Sequence, residues 1–201
     1  MMIISSTEDW AERVRLALAS GNLVVFPTDT VYGVGGDPTI QSALDLLYRL
    51  KGNRENKPYP ILVSSKELAL TIGNFSSVAL RLAEKYWPGP LTLVVPLKDK
   101  RLKAATFGSD YVGLRIPADR VAMRVVELSP SGLLVGTSAN KSGGNPPRLV
   151  DEVDSSIYPY VSVIVDGGKR DGMPSTVLQV EDSHLKLIRL GAISMQELQN
   201  V

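Results

Sequence analysis

The stretch LVVFPTDTVYGVGGDP, residues 23–38, decides how the chain is read. The apolar run from Leu23 to Phe26 has the length and bulk of a buried strand. Pro27 ends it, and threonines, an aspartate, a tyrosine and glycines follow before Asp37-Pro38. Asp-Pro is a good N-cap and first-turn pair. The spacing therefore predicts a helix over 38–51, with Ala43, Leu46, Leu47 and Leu50 on its buried side and Lys51-Gly52 closing it. Between strand and helix, the polar connection holds more hydroxyls and more glycine than a turn requires. In α/β proteins the ends of strands are where ligands collect.

Upstream, Ser6-Thr7-Glu8-Asp9 matches a capping box, and Trp10, Val14 and Ala17 follow at helical spacing until Gly21. Downstream, the polar segment GNRENKP leads to a strand at 61–63 and helices at 66–73 and 76–87. Residues 91–97 and 111–116 are strongly β-like, 119–128 helical and 133–137 strand-like. Weak helical character at 149–157 precedes strands at 161–166, 175–181 and 185–190 and a short helix at 194–199. Alternating β and α elements followed by a strand-rich end imply an α/β fold with a twisted, mixed, open sheet. No repeat, linker or low-complexity tract interrupts it, so residues 1–201 are expected to form one domain.

The bulk numbers exclude several function classes. Hydrophobic residues make up 44% and charged residues 21% of the 201, which is ordinary for a soluble globular protein. With no cysteine, disulfides and thiolate metal ligands are impossible. The single histidine, His184, rules out a His-rich metal centre or a triad needing a second imidazole, and its strand-like setting makes it a surface or packing residue. A net charge of +1 argues against a surface dedicated to nucleic acid, while leaving room for a local basic cleft. The start MMIISSTEDWAERV lacks the basic residues of a secretory signal, and no apolar run is long enough for a bilayer. A soluble, cytoplasmic protein without membrane partners is the expectation.

The unusual polar residues sit where predicted strands stop. Thr28, Asp29 and Thr30 follow 23–26, and Arg115 lies inside VGLRIP. Thr137, Ser138 and Asn140 follow GLLVG, Ser175 and Thr176 open a strand, and Arg189 nears the end of another. Each has a plainer reading: glycines 33, 35 and 36 can be a turn, Lys51 can complement a helix dipole, and Arg54 and Lys57 can be solvated. SANKSGGNPP can be a long turn, and Trp87-Pro88-Gly89-Pro90 a structural bend. Arg115 is harder to dismiss, because strand interiors seldom hold arginine without a partner. No GxxxxGK[ST] phosphate loop is present. The set supplies positive charge and neutral donors without a nucleophile–base pair or clustered carboxylates. Such a set suits a polyanion such as a nucleoside triphosphate, handled by positioning and charge stabilisation. Any Mg²⁺ would then be held mainly by phosphates and water, with no protein metal site.

Seven segments carry a resemblance: PTDTVYGVGG, KGNRENKP, YWPGPLTLVVP, VGLRIP, GTSANKSG, PSTV at 174–177 and LIRLGAI. In order and spacing, from about residue 10 to 196, the chain resembles the YrdC/Sua5/TsaC family of threonylcarbamoyl-AMP synthases, in its short form. The resemblance implies a twisted α/β fold with a concave basic surface. It also implies a nucleotidyltransferase reaction joining L-threonine, bicarbonate and ATP into threonylcarbamoyl-adenylate and pyrophosphate. The product would pass to a separate transferase complex that modifies tRNA, and direct tRNA contact is compatible with it.

By the same resemblance Thr28, Arg115, Thr137 and Ser175 would bind threonine, with Arg115 as a bidentate fork for the carboxylate. Lys51, Arg54, Ser138, Asn140 and Arg189 would bind ATP, and Lys51 and Arg115 would carry the catalytic charge. Tyr32 and Thr30 would line the wall, and the motif glycines would admit the ligand to the backbone. Where many relatives have K-x-R, this chain has Asn53, with the arginine displaced to Arg54. Two rival readings compete: an RNA-binding module using the same surface, and a carbamoyl-transfer domain of the hydrogenase-maturation type. The first would bind with steep salt dependence and ignore threonine. The second would come with Cys-rich zinc motifs, which this chain lacks.

Overall fold

A computed structural model describes residues 2–7, 9–52, 58–170 and 172–199; Asn53, Arg54 and Lys57 lie outside them. In chain order the elements are β1 (Met2–Ser5), α1 (Ala11–Ala19), β2 (Leu23–Phe26), β3 (Gly33–Gly35), α2 (Gln41–Lys51) and β4 (Ile61–Val63). Next come α3 (Lys66–Ile72), α4 (Ser77–Tyr86), β5 (Leu91–Pro96), β6 (Tyr111–Arg115), α5 (Arg120–Glu127), β7 (Leu133–Val135) and β8 (Thr137–Ser138). The chain ends in β9 (Val161–Asp166), β10 (Thr176–Glu181), β11 (His184–Arg189) and α6 (Met195–Gln199).

The mixed α/β architecture is present, with its strands divided between two sheets. One is five-stranded, ordered β1-β9-β2-β3-β8; the other is six-stranded, ordered β11-β10-β5-β6-β4-β7. Each mixes parallel and antiparallel pairs, such as β2 with β9 and β2 with β3. Both faces of β2 are covered, which is why LVVF carries no polar alternation. Leu23 and Val25 enter a large core shared with α2, α3, α4 and the six-stranded sheet. Val24 and Phe26 face the other way, into a smaller core with Val14, Ala17 and Leu18 of α1 and Val125 and Val126 of α5.

The segment after β2 is a hairpin loop rather than a strand-to-helix connection. Residues 27–32 reverse the chain, and β3 returns antiparallel along β2 with Phe26 opposite Gly33 and Val24 opposite Gly35. Both glycines of β3 also make room for protein. A Cβ on Gly35 would collide with the Val135 carbonyl oxygen, and one on Gly33 would stand 3.2 Å from the Phe26 ring. The 133–137 run is likewise two strands: β7 belongs to the six-stranded sheet, β8 to the five-stranded one, and Gly136 is the crossing point.

Helix starts differ from the expected ones for local reasons. The capping box does not form, because residues 2–5 are drawn into a strand along β9 and α1 begins at Ala11. Asp37 does not cap α2, which starts at Gln41 after Ile40. Instead its fully buried carboxylate accepts from the Thr39 N–H and hydroxyl on one oxygen, and from the Ser129 hydroxyl and Ser131 N–H on the other. Burial alone would raise the Asp37 pKa, but these donors bring it below the ordinary carboxylate value. On α2, Leu44 takes the buried place expected for Leu46. The weak helix near 149–157 is a pair of 3₁₀ turns, at Val150–Glu152 and Ser155–Tyr160.

Candidate functional site

A cavity of about 660 Å³ opens between the two sheets. The five-stranded sheet contributes Phe26, Gly33, Thr137 and Ser138; the six-stranded sheet contributes Leu62, Thr92, Gly113, Arg115, Val177 and Arg189. Thr28 and Thr30 enter from the hairpin loop, and Pro174 and Ser175 from the β9–β10 loop. Strand ends far apart in sequence therefore converge. Arg115, Ser138, Ser175 and Arg189 share one hollow, whose walls are otherwise apolar, hydroxylic or glycine.

Arg115 is 6% exposed, at the end of β6. Three segments hold its guanidinium. Nε donates to the Gly89 carbonyl at 3.0 Å, Nη2 to Asp29 Oδ1 at 2.6 Å, and both Nη atoms to Thr30 Oγ1 at 3.3 and 3.4 Å. A guanidinium has five N–H groups, so one on Nη1 is left without a protein partner. The two fork nitrogens are thus engaged with the hairpin loop.

Thr28 shapes that loop. Its hydroxyl donates to the Val31 carbonyl at 2.7 Å and accepts from the N–H groups of Thr30 and Val31. This local pattern is how threonine stabilises a turn. Thr30 Oγ1 lies 2.9 Å from Thr28 Oγ1, linking the turn to Arg115. The whole loop is buried apart from the partly exposed Asp29, because the Pro147 carbonyl receives the Tyr32 N–H and the Gly172 N–H reaches the Thr30 carbonyl.

On the opposite wall, Arg189 donates to the Ser175 carbonyl through Nε and Nη2 at 3.1 and 2.8 Å, and to Ser175 Oγ at 3.0 Å. Ser175 Oγ also lies 3.0 Å from Thr92 Oγ1. Thr176, beside it, faces inward and anchors the 191–193 turn through its hydroxyl.

Lys51 and Asn140 stand behind the Ser138 wall rather than in the lining. Lys51 is 4% exposed, and its ammonium donates to the carbonyls of Ser138, at 2.5 Å, and Asn140. Asn140 turns its amide onto the carbonyls of Lys141 and Gly144, stiffening the loop. Tyr32, expected as a wall contact, is fully buried. Its hydroxyl donates toward Asp166 Oδ1 and the Gly168 carbonyl and accepts from the Gly167 N–H. Burial, with help from Asp166, pushes its pKa up to about 12. Arg54 lies outside the described residues.

Sequence reasoning placed Asp29 among the strand-end polar residues without a role, and gave Gly89 and Thr92 no part in the site. Gly89 belongs to the WPGP bend, so that bend does more than turn the chain: its carbonyl is an Arg115 acceptor. The signal for Asp29 was available, since a strand arginine requires an anion and the hairpin loop contains one acid. Among the described residues no group of three or more His, Asp or Glu could hold a metal ion, and no helix is long and apolar enough to cross a membrane.

Comparison with known proteins follows the same residues. The family model Sua5_yciO_yrdC, described as "Telomere recombination", matches residues 16–191. The threonylcarbamoyl-AMP synthase of Pyrococcus abyssi (strain GE5 / Orsay) is 34% identical over 197 residues, covering 96% of this chain and 58% of its own length. A relative from Methanocaldococcus jannaschii is 34% identical over 188 residues, covering 93% of this chain and 88% of its own. The crystal structure of P. abyssi Sua5 complexed with L-threonine superposes with a TM-score of 0.91 at 32% identity, over all of this chain and 60% of that one. The chain thus spans under two thirds of the P. abyssi protein. With the family model matching residues 16–191 and relatives 34% identical over nearly its whole length, the chain belongs to the Sua5/YciO/YrdC family.

Proposed function

We propose that the chain is an L-threonylcarbamoyladenylate synthase, forming threonylcarbamoyl-AMP and pyrophosphate from L-threonine, bicarbonate and ATP. The observation that carries this reading is the convergence of a buried, strand-borne Arg115 with Ser175 and Arg189 in one hollow between the sheets. Family membership and the threonine-bound P. abyssi structure support the choice of amino acid.

Arg115 would take the threonine carboxylate, through the free N–H on Nη1 and by displacing or sharing Thr30. Thr137 and Ser175 would complete that pocket. Thr28 would act by shaping the loop, since its hydroxyl is occupied by Val31 and Thr30. The amine, having lost its ammonium proton, attacks carbon dioxide and releases a second proton to solvent, and the carbamate keeps both oxygens; starting from bicarbonate, one released proton leaves with the bicarbonate hydroxyl as water. One carbamate oxygen then attacks the α-phosphorus of ATP, and the bond to the leaving pyrophosphate breaks.

Ser138 and Arg189 would face the nucleotide, with Asn140 stiffening the loop behind Ser138. Lys51, from behind the Ser138 wall, together with Arg54 would offset phosphate charge. Lys51 would also hold the Ser138 loop in place. A magnesium ion is proposed to arrive on the triphosphate, since the described residues offer it no cluster of ligands. Bound Mg²⁺ would supply charge neutralisation at the phosphates. The adenylate would pass to a separate transferase that modifies tRNA in the cytoplasm.

The test is pyrophosphate release by purified protein given ATP, Mg²⁺ and bicarbonate, with and without L-threonine. Release that requires threonine is expected. Release indifferent to threonine, or none, would reject the reading.

A further inference from the structure

Asp29 stands on the hairpin loop of the five-stranded sheet, and Arg115, its partner 86 positions away, on the six-stranded sheet. Their contact, 2.6 Å long, bridges the two walls of the cavity with both side chains largely out of solvent. The carboxylate is only half used. Oδ1 receives the Arg115 Nη2, whereas Oδ2 is buried and has no hydrogen-bond partner. A buried polar atom left unpaired is rare and needs a reason. Asparagine would keep an acceptor for Nη2 but would bury an unsatisfied amide and leave the guanidinium charge uncompensated, so the position calls for the acid's charge.

Resting on the synthase reading above, we propose that Asp29 is the positioning residue of the amino-acid pocket. It fixes the rotation of the Arg115 guanidinium and cancels its charge before the ligand arrives. Three acceptors define the rotation. Gly89 holds Nε, Asp29 holds Nη2 and Thr30 bridges the two Nη atoms, leaving a single Nη1 N–H for a ligand carboxylate. Without Asp29 the guanidinium keeps only the Gly89 and Thr30 contacts.

The charge argument concerns selectivity. With Asp29 ionised, the pair is neutral, and a zwitterionic amino acid enters without adding net charge to a partly desolvated site. A carboxylic acid lacking the amine would bring an uncompensated negative charge, which is unfavourable there. Asp29 thereby favours α-amino acids over simple hydroxy acids of the same shape.

The experiment measures L-threonine and 3-hydroxybutyrate binding by calorimetry, and the KM values for threonine and ATP, in wild type, Asp29→Ala, Asp29→Asn and Arg115→Ala. Asp29→Ala is expected to weaken threonine about tenfold, the scale of one hydrogen bond to a charged group, with the KM for ATP unchanged. Asp29→Asn, which keeps an acceptor for Nη2, is expected to restore most of that loss and to narrow the preference for threonine over 3-hydroxybutyrate. A purely structural role would move both KM values together.

Equal threonine affinity in wild type and Asp29→Ala overturns the proposal. So does an Asp29→Asn protein that fails to rescue binding or keeps the full preference for threonine; that variant suffices if Asp29→Ala does not fold. Wild type that binds no threonine rejects the synthase reading itself. Wild type that binds, with Arg115→Ala that does not, upholds that reading whatever Asp29 does.

Discussion

Two acids, one at the cavity wall and one in the core, show how much a single carboxylate can do in this fold. Asp29 leaves an oxygen unsatisfied beside the cavity, whereas Asp37 satisfies both of its own with four donors from residues 39, 129 and 131. Asp37 is thus a structural clamp, tying the start of α2 to the turn before β7. Its folded pKa lies below the unfolded value, so its stabilisation is present above that unfolded value, near pH ~4, and is lost as pH falls through the folded pKa. Asp37→Asn should lower stability at pH 7 by about 1–3 kcal/mol, because its amide cannot accept from the Ser131 N–H. Urea denaturation should show the gap to wild type shrinking as pH drops below ~4. A gap that does not change with pH would mean that charge has no part in the clamp.

At the level of elements, the glycines of β3 make the sharper test. Gly35→Ala places a methyl against the backbone carbonyl of Val135, where neither strand can yield, and should destabilise by roughly 1–3 kcal/mol or prevent folding. Gly33→Ala meets only the edge of the Phe26 ring and should be milder. Thermal melts of the two variants decide it, and equal losses would refute the backbone explanation. The same strand shows where the sequence was silent. Gly-Val-Gly has no β signal of its own; it is a strand because β2 and β8 flank it. β1 was missed for a related reason, since four residues of MIIS gain strand character only from β9. By contrast the apolar runs at 61–63, 91–97, 111–116 and 161–166 and the helices from 66 to 87 were legible, because their periodicity is local. So were the cavity residues at strand ends. Gly89 was not, because its contact with Arg115 is made across the fold, and Asp29 was in view at its strand end without its partner.

For the molecule as a whole, the cavity is a seam between two sheets, and a ligand touching both walls should bind them together. Threonine and ATP, each at about 100 times its dissociation constant, should add ~2.7 kcal/mol apiece, together ~5.4 kcal/mol or roughly 11–22 °C in melting temperature. Scanning calorimetry should find the threonine-dependent part of that shift missing in Arg115→Ala. If threonine shifts the variant as much as wild type, the amino acid is bound somewhere else. The seam is not uniform along its length. At one edge a lone residue, Gly136, carries the backbone from one sheet to the other, and the Val135 N–H is bonded at 2.9 Å to the Gly36 carbonyl. That stitch acts as the spine of a book, and the pages nearest the binding keep their spacing. Thr137 and Ser138 sit beside the binding, so the part of the pocket they furnish should hold its shape through every cycle of filling and emptying.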